Sequence, residues 1–328
     1  MNALVTGGGG FLGGAVVRQL LARSDTVRSF SRQRYPALEC EQVQGDLADA
    51  AAVEAAVAGC DVVFHVAAKA GVSGSAEGYH RANVVGTENV IAACCKHGVD
   101  RLVFTSSPSV VAAGHDIVGG DESLPYARRF LAHYPRTKAL AERAVLNANG
   151  PDLATVSLRP HMVWGPGDNH LIPRMIERGR LGQLRQIGNG TNKTDVTYID
   201  NAATAHLLAA DRLTPGSPVA GRAYFISQGE PVLVWPFINR ILALAGLPPV
   251  TRSVPTSLAY AAGALIESTY RLLGWTDEPR MTRFLALQLG TSHWFDISAA
   301  RRDLGYDPAV STEEGLRRLG EWLAAGVA

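Results

Sequence analysis

The chain has 328 residues, 47% of them hydrophobic, with a formal net charge of +1. That length buries a large core with room for two lobes. Near-neutral charge gives no electrostatic reason for a nucleic-acid or anionic-membrane partner. The nine histidines show neither H-x-H nor H-E-x-x-H spacing, so no metal is expected. The first apolar run, residues 3–5, reads as a buried strand and begins so close to Met1 that a signal or transit peptide is not expected. It leads into Thr6-Gly7-Gly8-Gly9-Gly10-Phe11-Leu12-Gly13. Gly7, Gly10 and Gly13 give G-x-x-G-x-x-G, and residues 11–22 then carry helical apolar spacing. Strand, glycine turn and helix form the context of a dinucleotide site, where the helix N-terminus attracts a pyrophosphate. The plainer reading is a flexible glycine turn.

Strand patterns at 26–30, 42–45, 61–67, 101–105 and 154–158 alternate with helical patterns at 48–58, 82–97 and 138–148, the last continuing from Tyr134. Alternation of this kind predicts a doubly wound parallel α/β sheet of Rossmann type, helices on both faces. After Arg159-Pro160 the pattern changes. Gly165-Pro166-Gly167-Asp168 is a loop signal. Residues 196–199 and 224–226 read as strands returning to the main sheet, and the chain from 231 onward reads as largely helical. The expected division is a dinucleotide-binding domain, 1–162 with 195–228, and a discontinuous, mostly helical substrate lobe, 163–194 with 229–328. Residues 258–266 are apolar, but Glu267 and Arg271 follow, and a span needs about 20 apolar residues. A helix lining a greasy pocket or interface is expected, with peripheral membrane contact as the alternative. Cys40, Cys60, Cys94 and Cys95 show no C-x-x-C and read as reduced thiols of a cytoplasmic protein.

The chemistry centres on Tyr134-Pro135-Arg136-Thr137-Lys138. Four residues apart on a helix, Tyr134 and Lys138 share a face. A nearby ammonium favours the phenolate and lowers the phenol's pKa from about 10. Such a phenol trades a proton with a carbonyl or alcohol near neutral pH. Ser107, ending the run Thr105-Ser106-Ser107, is the preferred hydroxyl to orient the substrate oxygen, against an ordinary strand-end serine. The end of the second strand selects the cofactor. Ser31 stands where an acid would hold the ribose of NAD, and Arg32 follows it, so NADP(H) is expected; solvated surface arginines at Arg32 and Arg34 are the alternative. Asp46, before Leu47, either accepts from the adenine amino group or caps the next helix. Ala67-Ala68, small, let the backbone approach the cofactor.

Together these residues resemble the extended short-chain dehydrogenase/reductase family over essentially the whole chain. Within it the 3β-hydroxysteroid dehydrogenase-like branch is most similar. The motifs are His65-Val66-Ala67-Ala68, Asn83-Val84-Val85-Gly86-Thr87-Glu88-Asn89, Leu158-Arg159-Pro160, Thr197-Tyr198-Ile199-Asp200-Asn201-Ala202, Phe295-Asp296-Ile297-Ser298 and Leu304-Gly305-Tyr306. More narrowly, Ala67-Ala68-Lys69-Ala70-Gly71-Val72 resembles the reductases of bacterial long-chain olefin and β-lactone biosynthesis, which interconvert 2-alkyl-3-oxoalkanoates and 2-alkyl-3-hydroxyalkanoates. The resemblance implies Tyr134 as general acid/base, Lys138 on the nicotinamide ribose, and Ser107 at the substrate oxygen. It implies Gly7, Gly10 and Gly13 at the pyrophosphate and Pro160 against the nicotinamide, and Phe11, Leu12, Ser31, Arg32, Asp46, Leu47, Ala67 and Ala68 complete the expected cofactor-binding set. Asn83 is implied as a support of the site. His161, Met162 and Trp164 are expected in the pocket wall, favouring an apolar substrate. A homo-oligomer, a dimer, and a complex with pathway enzymes are implied at family level. The competing readings are a hydroxysteroid or flavonoid-type reductase, a nucleotide-sugar epimerase or dehydratase, and a dinucleotide-sensing regulator without chemistry.

Overall fold

The computed structural model describes residues 1–71, 74–112, 114–275 and 279–326. Its main sheet has seven parallel strands: β1 (Asn2–Thr6), β2 (Thr26–Ser31), β3 (Glu41–Gln44), β4 (Val62–His65), β5 (Arg101–Thr105), β6 (Ala154–Pro160) and β7 (Arg222–Ile226). Their order is β7-β6-β5-β4-β1-β2-β3, which reverses direction beside β1 as a doubly wound sheet does. The central strands are apolar on both faces because both faces are covered. Successive side chains point to opposite sides. Ala3, Val5, Phe64, Val103 and Val156 enter one core with helices α1 (Phe11–Ala22) and α5 (Ile199–Arg212). Leu4, Val63, Leu102 and Phe104 enter the other with α2 (Ala50–Val57), α3 (Gly86–His97) and α4 (His133–Asn147).

One expectation about this sheet is corrected. Residues 196–199 do not return to it: Thr197–Tyr198 pairs with Val163–Trp164 in a separate two-stranded ribbon, and α5 starts at once at Ile199. Only β7 returns, alongside β6. The second lobe is mostly helical, as expected, with helices at Leu171–Arg180, Val234–Leu244, Thr256–Leu273, Arg283–Gly290 and Thr312–Ala324, and it also carries short strands. Val232–Leu233, Lys193–Thr194, His293–Phe295 and Ile117–Gly120 form a four-stranded sheet that ties an excursion after β5 to the C-terminal segment.

Helix α4 is clamped to the sheet by a buried ion pair. Arg159 Nη2 on β6 meets Glu142 Oε1 at 2.6 Å, both side chains almost fully buried, and Ser157 donates to Glu142 at 2.8 Å. Removing one partner of such a pair strands a charge and typically costs about 3–5 kcal/mol. The clamp fixes the helix that carries Tyr134 and Lys138. In the second lobe, the helix Thr256–Leu273 buries Ala259 and Gly263 but exposes Leu258, Leu265 and Leu272. Among the described residues, no helix is long and apolar enough to cross a membrane.

Candidate active site

The carboxyl edge of the sheet gathers the expected chemistry. Ser106 and Ser107 follow β5 and diverge. Ser106 is 3% exposed and turns toward Glu142, whereas Ser107 is partly exposed and hydrogen-bonds Tyr134. Ser107 Oγ also meets Ser109 Oγ at 2.9 Å and accepts the Ser109 N–H, starting the turn that Pro108 stiffens. One helical turn beyond Tyr134, Lys138 is buried, donates from Nζ to the Thr105 carbonyl at 2.5 Å, and lies 4.0 Å from the centre of the Phe104 ring. Burial pushes the Lys138 amine down to about 7, with Glu142 pulling the other way.

The expected lowering of the Tyr134 pKa by Lys138 is corrected in the protein alone. Burial holds the phenol above its ordinary value, and donation from Ser107 offsets this only in part. The physical reason lies in Lys138. Its ammonium is committed to the Thr105 carbonyl and the Phe104 ring, and burial weakens its charge.

A buried hydrogen-bond chain joins the glycine turn to the Tyr134 helix, and its donors can be assigned. The Thr87 hydroxyl donates to the Asn83 carbonyl at 2.6 Å, so Thr87 Oγ1 must accept the proton on His65 Nε2, 3.0 Å away. Burial pushes His65 down to about 3, so the ring is neutral and Nδ1 accepts from the Thr6 hydroxyl at 2.7 Å. Thr6 Oγ1 in turn accepts the Ala67 N–H at 3.1 Å. At the other end, Asn83 lies in a wide π-helical turn, Arg81–Val85, a device frequent at functional sites. Its side-chain amide accepts the Lys69 N–H at 2.6 Å and donates to the Lys69 carbonyl and to Thr137 Oγ1. Thr137 donates back to the His133 and Tyr134 carbonyls. The His65 and Asn83 motifs are therefore one framework, whose hydroxyls at Thr6, Thr87 and Thr137 carried no separate signal in the sequence.

The glycine turn has the form a dinucleotide needs. Gly7 takes φ +70°, a region costly for other residues, and packs on Ala67. A Cβ on Gly13 would lie 2.1 Å from the Gly7 carbonyl oxygen, so α1 closes directly onto the turn. Gly10 precedes α1 without a side-chain cap, no acid occupies the first turn, and Phe11 and Leu12 begin it partly exposed. The positive helix end is thus free for an anion. Ser31 ends β2 with an enclosed hydroxyl that has no partner, and Arg32 beside it is exposed. An exposed guanidinium at the end of β2 suits an anionic group.

Other expected residues need adjustment. Asp46 does not cap α2: Asp49 does, accepting from Ala51 and Ala52. Asp46 accepts the Ala48 N–H and pairs with Arg81 at 3.0 Å, an exposed pair worth little in stability. Leu47 is held through its carbonyl by Asn89. Ala68 is exposed at the edge, while Val72 lies outside the described residues. Pro160 closes β6 and His161 is partly exposed, but Trp164 is not a pocket wall. It is fully buried against Tyr198 and Phe237, because pairing of Val163–Trp164 with Thr197–Tyr198 turns it into the core.

A dinucleotide-type glycine turn facing a Tyr–Ser–Lys group across the edge of a doubly wound sheet defines an oxidoreductase of the short-chain dehydrogenase/reductase class, using a nicotinamide dinucleotide. Residues 4–255 match the model of the 3-beta hydroxysteroid dehydrogenase/isomerase family, and the chain belongs to that family. It is 54% identical over 324 residues to a 2-alkyl-3-oxoalkanoate reductase of Stenotrophomonas maltophilia, covering 97% of this chain and 98% of the relative. A protein of the same name from Shewanella oneidensis is 52% identical, covering 97% and 85%. Human sterol-4-alpha-carboxylate 3-dehydrogenase, decarboxylating, is 37% identical, covering 96% and 86%. Among solved structures, MoeE5 in complex with UDP-glucose and NAD superposes with a TM-score of 0.76 at 26% identity, covering all of both chains.

Proposed function

We propose that this protein is an NADP(H)-dependent oxidoreductase that interconverts 2-alkyl-3-oxoalkanoates and 2-alkyl-3-hydroxyalkanoates. The observation that carries the reading is similarity above half identity, along nearly the whole chain, to proteins of that activity, with a Tyr134–Ser107 contact at the sheet edge. The name of the human relative describes a carboxylate beside a reacting C3 position, the same β-related arrangement as in a 3-oxo acid. Nucleotide-sugar epimerases such as that of Thermotoga maritima share the fold, at 22% identity.

In this reading the bound nicotinamide supplies or accepts the hydride. Tyr134 gives the proton to the 3-keto oxygen in the reducing direction and takes it back in the other. Ser107 donates a hydrogen bond to the same oxygen as charge develops there. Lys138 holds the nicotinamide ribose and stabilises the tyrosinate. Gly7, Gly10, Phe11, Leu12 and Gly13 hold the pyrophosphate, Asp46, Leu47, Ala67 and Ala68 the adenosine side, and Pro160 the nicotinamide. Ser31 and Arg32 take the 2′-phosphate.

The test follows loss of NADPH absorbance with a freshly prepared 2-alkyl-3-oxoalkanoic acid, and gain of it with the matching hydroxy acid. Turnover is expected with NADP(H) well above NAD(H). Arg32→Ala should weaken NADPH binding roughly 10-fold, the size of a charge-assisted hydrogen bond, and leave NADH unchanged. Tyr134→Phe should cost about 10²- to 10⁴-fold in turnover while NADPH still binds. Bound NADPH with no turnover on either acid removes the substrate; equal affinity for the two dinucleotides removes the NADP assignment.

A further inference from the structure

His161 follows Pro160 at the end of β6, and its state is fixed by its neighbours. Nδ1 lies 2.8 Å from the Asp195 carbonyl oxygen, an atom that only accepts, so Nδ1 carries the proton. The ring packs edge-on against His293 at 4.9 Å and near Phe295 at 5.9 Å. His293 donates from Nε2 to the Gln288 carbonyl, so its own Nδ1 accepts from Thr194, whose oxygen lies 3.4 Å from His161 Nδ1 and can share that proton with the Asp195 carbonyl. Burial and the neighbouring imidazole push His161 down to about 3. It is therefore a neutral ring of one tautomer, with the lone pair of Nε2 left over. That atom has no hydrogen-bond partner among the described residues, yet it is not among the atoms the fold seals off, and the residue is partly exposed.

His161 stands beside the candidate chemistry along the sheet edge. Thr105 of β5 pairs in register with Leu158 of β6, and the Ser106 N–H donates to the Leu158 carbonyl. Ser107 and Pro160–His161 therefore leave neighbouring strands at the same level, about 5 Å apart at their strand spacing. The next residue, Met162, is held at φ +40°, a left-handed conformation that a side chain adopts at a cost. The Thr197 hydroxyl and N–H bond the His161 and Met162 carbonyls and keep this corner in place.

We propose that His161 is a cofactor-contacting residue whose Nε2 accepts a hydrogen bond from the amino group of the nicotinamide carboxamide. This rests on the dinucleotide reading of the site. A lone pair without a proton calls for a donor, and would repel the carboxylate or keto oxygen of an oxo acid. The carboxamide is the N–H-bearing group at the nicotinamide end of the cofactor. Holding it fixes the rotation of the ring, and with it the face that meets the carbonyl between Tyr134 and Ser107.

The probe is the 3-acetylpyridine analogue of NADP⁺, in which a methyl group replaces the amino group and the carbonyl is kept. Binding is read from quenching of tryptophan fluorescence, independent of turnover. Wild-type protein should bind NADP⁺ about 10-fold more tightly than the analogue, the penalty for a lost hydrogen bond at a partly buried site. His161→Leu should lose affinity for NADP⁺ and bind the two alike; His161→Gln, which keeps an acceptor, should recover part of the preference. Equal affinity of the wild type for both ligands overturns the proposal without any variant, as does a preference that survives in His161→Leu. Binding of neither NADP⁺ nor NAD⁺ by the wild type is a different result: it removes the dinucleotide reading itself.

Discussion

Lys138 sits where a charge is costly. Its amine is enclosed by the Phe104 ring and the Thr105 carbonyl, and burial brings it down from 10.5 to about 7. The sign of the effect on stability follows from proton counting. Between pH 7 and 10.5 the unfolded chain holds a proton that the folded chain has released, so the fold gains stability as pH rises through that window. Below it, both states are charged and the burial cost is carried in full. Lys138→Met removes the titration. The melting temperature of the variant relative to wild type should be highest near pH 7 and should fall by on the order of 5 °C as pH approaches 10.5, while turnover drops about 10²-fold. Parallel melting curves across that range show that the lysine is not perturbed as the geometry demands.

At the scale of elements, the His65 chain makes α4 answer to the glycine turn. Thr6 ends β1, Thr87 stands at the start of α3, and His65 at the end of β4 bridges them with one proton on Nε2. Thr6→Val and Thr87→Val are nearly isosteric, and each breaks one link. If the chain acts as a unit, either change should weaken NADPH binding and turnover about 5- to 10-fold, and the double variant should be scarcely worse than the poorer single one. Effects that multiply would show two independent hydroxyls.

The elements also show how far the sequence could be read. The glycine turn and helix α1, at residues 11–22, are visible in it because periodicity and glycine spacing are local properties. The small strand Ile117–Gly120 is not, since its partner His293–Phe295 lies far along the chain and four residues carry little pattern of their own. Helix α5 was hidden for another reason. Its face toward α1 and its face toward the sheet are both filled by alanines and leucines, so the polar stripe that marks a surface helix is thin. Trp164 looked like a pocket wall from its place after Arg159-Pro160, but the ribbon with Thr197–Tyr198 turns it into the core. At the site, residue types announced Tyr134, Lys138 and Ser107. The hydroxyl partners and the Glu142–Arg159 clamp depend on which strands are neighbours, which no local spacing states.

For the molecule as a whole, the buried histidines decide the response to acid. Burial pushes His65 and His161 to about 3 and His206 to about 4, and lowers His293, all from an ordinary 6.5. Each is neutral in the fold and takes a proton when unfolded, so stability present above pH 6.5 is lost as pH falls below it. Asp195 works in the opposite sense. Burial raises its carboxyl to about 7 from 3.8, so between those values the folded chain holds a proton that the unfolded chain lacks, and stability increases as pH falls. His65, His161 and His206 against Asp195 leave a net uptake of about two protons on unfolding, near 3 kcal/mol per pH unit at about 1.4 kcal/mol each, and His293 adds in the same direction. A domain with a margin of about 5–15 kcal/mol cannot withstand that for long. The urea midpoint should therefore begin to drop as pH falls below 6.5, before the ordinary carboxylates titrate. A midpoint that stays level to about pH 4.5 would place charge on these imidazoles in the folded state, and with it a second proton on His65 Nδ1 and His161 Nε2.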